Sequence, residues 1–153
     1  MKFHKKYGII KCPMIISVQY RFRNILHVRI STMKNTEQFT VRGKTTQFTT
    51  IDDFQGIVEE LESRGLFHDA TIEHIGHDAE CTSISFHHYE DPEYKMYTLV
   101  FEGSVDLQMN YDARLLVIYE IAMTTGDCVE AVFDGTGIII KAEKVKLTIR
   151  ELV

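Results

Sequence analysis

No apolar run in this chain exceeds five residues. The longest, Leu115 to Tyr119, falls far short of the ~20 residues that a membrane-spanning helix needs. The opening MKFHKKYGIIKCP offers Gly8, Ile9 and Ile10 between basic residues, too little for a secretory core. No membrane partner is therefore expected, and the chain reads as soluble and cytoplasmic. Cysteine is scarce: Cys12, Cys81 and Cys128 are an odd number at wide spacing, which fits neither a disulfide framework nor a CxxC metal knuckle. A nucleophile elbow, a glycine-rich phosphate loop and every other known catalytic motif are missing, and no cofactor is implied. Low-complexity tracts and fixed-period repeats are absent too, which excludes solenoids and a mainly disordered state.

What is present is the composition of a globular domain, with 44% hydrophobic and 25% charged residues in 153. That length suits a single domain over residues 1–153, able to bury about two-thirds of its unfolded surface. The formal charge of -5 hides a division. Residues 1–50 hold ten Lys and Arg against one acid, Glu37, whereas residues 51–153 hold seven against twenty-one. Such asymmetry marks either a polyanion-binding face, an interface between charged partners, or two segments that simply pack together.

Period-two alternation dominates the pattern. Val18, Tyr20 and Phe22 alternate with Gln19, Arg21 and Arg23, and Leu26, Val28 and Ile30 follow suit, which predicts a basic hairpin within residues 1–50. Phe39 and Val41 with a turn at Gly43 and Phe48 beyond predict a second one. In TTIDDFQGIVEELESRG the period changes: Phe54, Ile57, Val58 and Leu61 draw one helical stripe, with Asp52 as cap and Gly65 as terminator. Alternation then returns with Ala70, Ile72 and His74 on one face, followed by Ile84, Phe86 and His88, and by Tyr97, Leu99 and Phe101. Gly103 introduces a kink, a bulge or a tight bend. Asp134-Gly135 between apolar runs is a hairpin signal. The stretch DARLLVIYEIAMTTGD fits both periods, and its Val, Ile and Tyr content favours a strand. The expected fold is mainly β, a sandwich or open barrel, with one amphipathic helix at about 52–64: a basic hairpin segment over 1–50, then a helix and an acidic β-rich part over 51–153.

Candidate sites divide by chemistry. LFHDATIEHIGHD gathers three histidines and two aspartates, so a metal-assisted enzyme would draw on His68, Asp69, His74 and His88, or on His77 and His87 with Asp78. Cys81 with His87, or His68 with Asp69, supplies the residue types of a hydrolase without its loops. Arg21, Arg23 and Arg29 would share one solvent-facing side and could contact nucleic-acid phosphates, although Tyr20 and Phe22 point the other way. Acidic residues offer a third surface: Glu59, Glu60 and Glu62 on the helix and Glu90, Asp91 and Glu93 in the loop YEDPEY. Exposed edge strands would also allow two copies to pair.

The segments LFHDATIEHI, TSISFHHY, YTLVFEGSVDLQMN and GIIIKAEKVKLTI resemble small bacterial β-rich domains of uncharacterised and immunity-like proteins of toxin systems. In those a His-Asp pair opens the first strand and an LxFxGV-like strand follows. Leu99, Phe101, Gly103 and Val105 are similar, with Ser104 interrupting. This resemblance covers residues 66–150, brings no catalytic residues, and implies a protein that neutralises another by binding it. Together these readings predict a non-enzymatic, intracellular protein-binding module that engages a partner protein through an acidic face.

Overall fold

The structure, a computed structural model, describes residues 34–88, 95–110 and 116–152. All of these lie in one compact unit, Ser31–Val153. The arginine hairpin expected around residues 18–30 and the loop 89–94 lie outside the described residues.

Among the described residues eleven strands form two antiparallel sheets. In chain order they are β1 (Lys34–Val41), β2 (Lys44–Ile51), β3 (Ala70–His77), β4 (Cys81–His88), β5 (Lys95–Glu102), β6 (Asp106–Met109), β7 (Val117–Ile118), β8 (Glu120–Thr125), β9 (Val129–Asp134), β10 (Ile138–Ala142) and β11 (Lys144–Leu152). The larger sheet has the order β1-β2-β11-β5-β4-β3-β7 and the smaller β6-β10-β9-β8. A mainly β architecture, with a single α-helix, α1 (Phe54–Ser63), among the described residues, is thus as the alternation predicts.

Register explains where the core sits. Cross-strand partners line up in apolar rows on one face of the larger sheet: Ile51, Leu147, Leu99, Ile84 and Ile75 in one, Ile149, Tyr97, Phe86 and Ile72 in the next. Opposing them, the smaller sheet presents Ile121, Phe133 and Ile138 in one row and Ala131 and Ile140 in another. These side chains are buried in one continuous cluster, with Ile75 partly buried against it, and Phe86 meets Phe133 across the gap at 6.3 Å between ring centroids. Burial of each large apolar side chain contributes about 1.5–3 kcal/mol.

Two features join the sheets. The strand pair β5/β11 of the larger sheet continues as β6/β10 of the smaller, so residues 95–109 and 138–152 form one ribbon that turns a corner at Gly103 and Glu143. Gly103 has φ +94°, and a Cβ there would lie 2.8 Å from the Cβ of Glu143. The predicted kink is therefore the corner at which the ribbon changes sheets. On the other side β7 and β8 are one extended segment interrupted at Tyr119, with β7 beside β3 and β8 beside β9. The ambiguous stretch is strand over 117–118 and 120–125, and its residues 112–115 lie outside the description.

Helix α1 crosses from β2 to the parallel β3 and packs against β11 and β8 as well as the turn that follows it. Ile57 and Leu61 are buried from the predicted stripe. The cap is Asp53 rather than Asp52: its Oδ1 accepts the Gly56 N–H at 2.6 Å, satisfying a donor that the first turn leaves open. Asp52, one residue earlier, is exposed.

The helix ends in a left-handed turn. Gly65, Leu66 and Phe67 have φ of 62°, 54° and 60°, and Asp69 has 64°. Each non-glycine residue there costs about 1–2 kcal/mol. Phe67 holds the turn in place, being fully buried with its ring edge-on to Phe86 at 4.8 Å and Tyr97 at 4.5 Å. Its burial and two ring pairs contribute a comparable amount.

Candidate functional site

The histidines do not form a centre. A bulge between Ile72 and His74 shifts the β3 register, so Ile75 rather than His74 takes up the inward face of Ile72 and His74 turns to the outer face opposite Ser85. His88 pairs with buried Ala70 on the inner face. The assumption that His74 and His88 share a side is corrected by this single inserted residue. His68 and Asp69 do meet, Nδ1 to Oδ2 at 3.0 Å, but both side chains are about two-thirds exposed. Nor does the second set converge: His77 Nδ1 contacts Thr82 Oγ1 at 2.7 Å on the inner side, whereas His87 lies on the outer side with its Nε2 2.7 Å from Glu73 Oε1. Asp78 instead accepts the N–H groups of Glu80 and Cys81 in the turn. Cys81 and His87 sit six residues apart on one strand, roughly 20 Å by strand rise, too far for a nucleophile and its base. Among the described residues no group of three His, Cys, Asp or Glu could hold a metal ion.

The acids expected on α1 are placed unequally. Glu59 and Glu62 are exposed, but Glu60 is largely covered and paired with Lys34 at 3.2 Å and Arg64 at 3.6 Å. Its charge is locally offset. Glu90, Asp91, Glu93, Arg21, Arg23 and Arg29 lie outside the described residues.

The concentration of acid in the described structure falls instead on the outer face of the smaller sheet. Because Phe133, Ile138 and Ile121 point inward, their neighbours along each strand point out. Three outer rows follow from the register. Ile139, Val132 and Ala122 form an apolar middle row, continued by Gln108. On one side run Asp106, Lys141, Glu130 and Thr124; on the other, Asp134 lies directly opposite Glu120. Four carboxylates thus frame an apolar strip against one ammonium group.

That ammonium group is already engaged. Lys141 Nζ lies 2.9 Å from Glu130 Oε2. The hydrogen bond to Glu130, reinforced by the charges of Glu130, Cys128 and Asp106, raises the lysine pKa above its ordinary value despite slight desolvation. Glu120 and Asp134 have no cation opposite them in their row. Like charges directly across a ladder are destabilising, by up to about 1 kcal/mol.

Beside this pair stands Tyr119, 51% exposed. Its N–H donates to the Asp134 carbonyl at 2.9 Å, and its ring lies against Gly135, where a Cβ would come within 2.8 Å of Cδ2. Gly135, at φ +84°, is thus required both by the turn and by the close approach of the ring. The His68 ring is 6.4 Å from that of Tyr119. An exposed aromatic ring pinned in place loses little side-chain freedom on binding, which suits an interface anchor.

Sequence reasoning missed this face although its signal was present. Glu120 and Ala122, Glu130 and Val132, and Ile139 and Lys141 each occupy alternate positions of a strand whose intervening residues are buried. Comparison with known proteins returns no match among family models, curated proteins or solved structures.

Proposed function

We infer that the protein is a non-enzymatic, intracellular protein-binding module, of the immunity-like kind found in bacterial toxin systems, and that it engages a basic partner protein. The observation that carries this reading is the outer face of the smaller sheet. The apolar row Ile139, Val132 and Ala122 is framed by Asp106, Glu130, Glu120 and Asp134 and flanked by Tyr119. A dry strip inside a charged rim is the usual anatomy of a protein interface. Lys or Arg side chains of a partner would relieve the repulsion between Glu120 and Asp134, and long-range attraction would speed the encounter.

The test is co-purification of the full chain with the product of the neighbouring reading frame. A retained complex, weakened by salt and lost in the double variant Glu120→Lys, Asp134→Lys, supports the reading. Retention of equal strength by that variant removes the face from the interface. Failure of the wild-type chain to hold the neighbouring product overturns the function itself.

A further inference from the structure

The larger sheet ends on β1, whose eight residues are all exposed, including Phe39 at 44% and Val41 at 68%. Arg42 and Gly43 both have positive φ, 49° and 76°, which defines a two-residue type I′ turn. Val41 and Lys44 are then the flanking pair that exchanges both backbone hydrogen bonds. It follows that the backbone groups of residues 35, 37, 39 and 41 face β2, and that those of Lys34, Thr36, Gln38 and Thr40 point to the open side, where no described strand pairs with them. A side-chain ladder ties the strand to β2, Thr36 with Thr49, Gln38 with Gln47 and Thr40 with Thr45, at 3.4, 2.8 and 3.0 Å. Its register runs unbroken over eight residues with neither proline nor bulge, the devices that usually protect an edge. Lys34, its one lysine, is engaged by Glu60.

We propose that β1 pairs antiparallel with β1 of a second copy of this chain, about a two-fold axis normal to the sheet. Such an axis keeps outer residues outer, so only registers that set like faces opposite one another are allowed. Centring on Glu37 would oppose two carboxylates. Centring on Gln38 would oppose Lys34 to Arg42. Centring on Phe39 sets Glu37 of each copy opposite Val41 of the other, beside Lys44 and the Arg42 turn, so each cationic hairpin end meets the other copy's carboxylate, and the axis makes the contact twice. The two Phe39 rings then meet at the axis, extending the edge-on Phe39–Phe48 pair, now 5.8 Å between centroids, into a cluster of four rings. Gln38 and Thr40 exchange backbone hydrogen bonds on either side. This pairing is independent of the acidic face on the smaller sheet.

Sedimentation of the full chain tests it. The expected result is twice the 17.7 kDa chain mass, shifting to one chain mass on dilution and in Phe39→Lys, which sets two ammonium groups face to face. Gln38→Pro removes an N–H from the open side and should have the same effect, with circular dichroism confirming that both variants keep the sheet. Non-hydrogen-bonded pairs bring Cα atoms to about 4.5 Å, within disulfide reach. Phe39→Cys should therefore yield an oxidised dimer linked through position 39, whereas Glu37→Cys, opposite Val41, should not. A single chain mass at the highest concentration the protein tolerates overturns the proposal. So does a dimer that Phe39→Lys and Gln38→Pro leave intact while both remain folded.

Discussion

Replacing Gly103 by alanine puts the corner of the long ribbon to the test. Two costs follow from the geometry. An L-residue at φ +94° is strained by about 1–3 kcal/mol. The added methyl would also sit 2.7 Å from Oε2, and 2.8 Å from both Cβ and Cδ, of Glu143. The carboxylate end of that exposed side chain can swing away, but Cβ is fixed to the backbone, so the two strands must separate by several tenths of an ångström. Overpacking of this kind costs about 1–3 kcal/mol. The sum, about 2–6 kcal/mol, corresponds to a fall in Tm of roughly 4–24 °C for a chain of this size. Urea unfolding followed by circular dichroism and tyrosine emission would measure it, since the chain lacks tryptophan. A second variant separates the two costs. In a Glu143→Gly background only the backbone strain remains, so a double-mutant cycle should give a coupling of about 1–3 kcal/mol. Gly126 is the control: nothing lies within 4 Å of a Cβ there and its φ is ordinary, so Gly126→Ala should be neutral or stabilise by up to about 1 kcal/mol. A Gly103→Ala cost below about 0.5 kcal/mol, or no coupling to Glu143, would refute the corner as the reason for glycine.

Three further outcomes follow from the same geometry. Phe67→Ala should destabilise by about 3–5 kcal/mol in urea unfolding, because the ring is fully buried between Phe86 and Tyr97 and its loss also frees the left-handed turn it anchors. Glu120→Lys should instead stabilise, by about 0.2–1 kcal/mol at low salt, because it turns the repulsion opposite Asp134 into attraction; salt should shrink the gain. For Lys141 the folded pKa is raised, so the stabilisation it gives is present below the unfolded lysine pKa and is lost as pH climbs through the higher folded value. A nuclear magnetic resonance titration of its side chain should show the midpoint falling in Glu130→Gln, and an unchanged midpoint would exclude Glu130 as the cause.

Much of this fold is legible in alternation, because a strand with one buried face records its orientation at every second residue. The rows through Leu99, Leu147 and Ile84 and the corner at Gly103 are readable on that basis. The failures have local causes. Alternation extended through position 73 places His74 on the Ile72 side, but one extra residue there reverses every later side chain of the strand. No signal in TIEHIG distinguishes a bulge from a regular strand. The cap falls on Asp53 instead of Asp52 because two adjacent aspartates are chemically equivalent and only the entry angle of the chain, set by tertiary packing, selects between them. The acidic face is not visible in charge read along the sequence. Glu120 and Asp134 are fourteen positions apart and become neighbours only when β8 pairs with β9.

That pairing also bears on function. A solvent-facing position opposite an aspartate is among the easiest in a sheet to improve, and almost any cation or neutral residue at 120 would be less costly than glutamate. The same region keeps a tyrosine half exposed where its ring excludes every residue but glycine at 135, and holds Leu66, Phe67 and Asp69 of the neighbouring turn in a left-handed conformation. Each is a local cost on its own, and each lies at the junction where β7 leaves one sheet and β8 enters the other. Tolerated costs of this kind collect where a surface serves binding rather than stability. The acidic face and the β1 edge differ in this respect. At the edge the side-chain ladder and unbroken register suit the strand to its own sheet, and pairing there would add hydrogen bonds without relieving any repulsion. On the smaller sheet a cationic partner would remove one, so a substitution such as Glu120→Lys should move stability and partner affinity in opposite directions, whereas Phe39→Lys should change self-association and leave binding at the acidic face as it was.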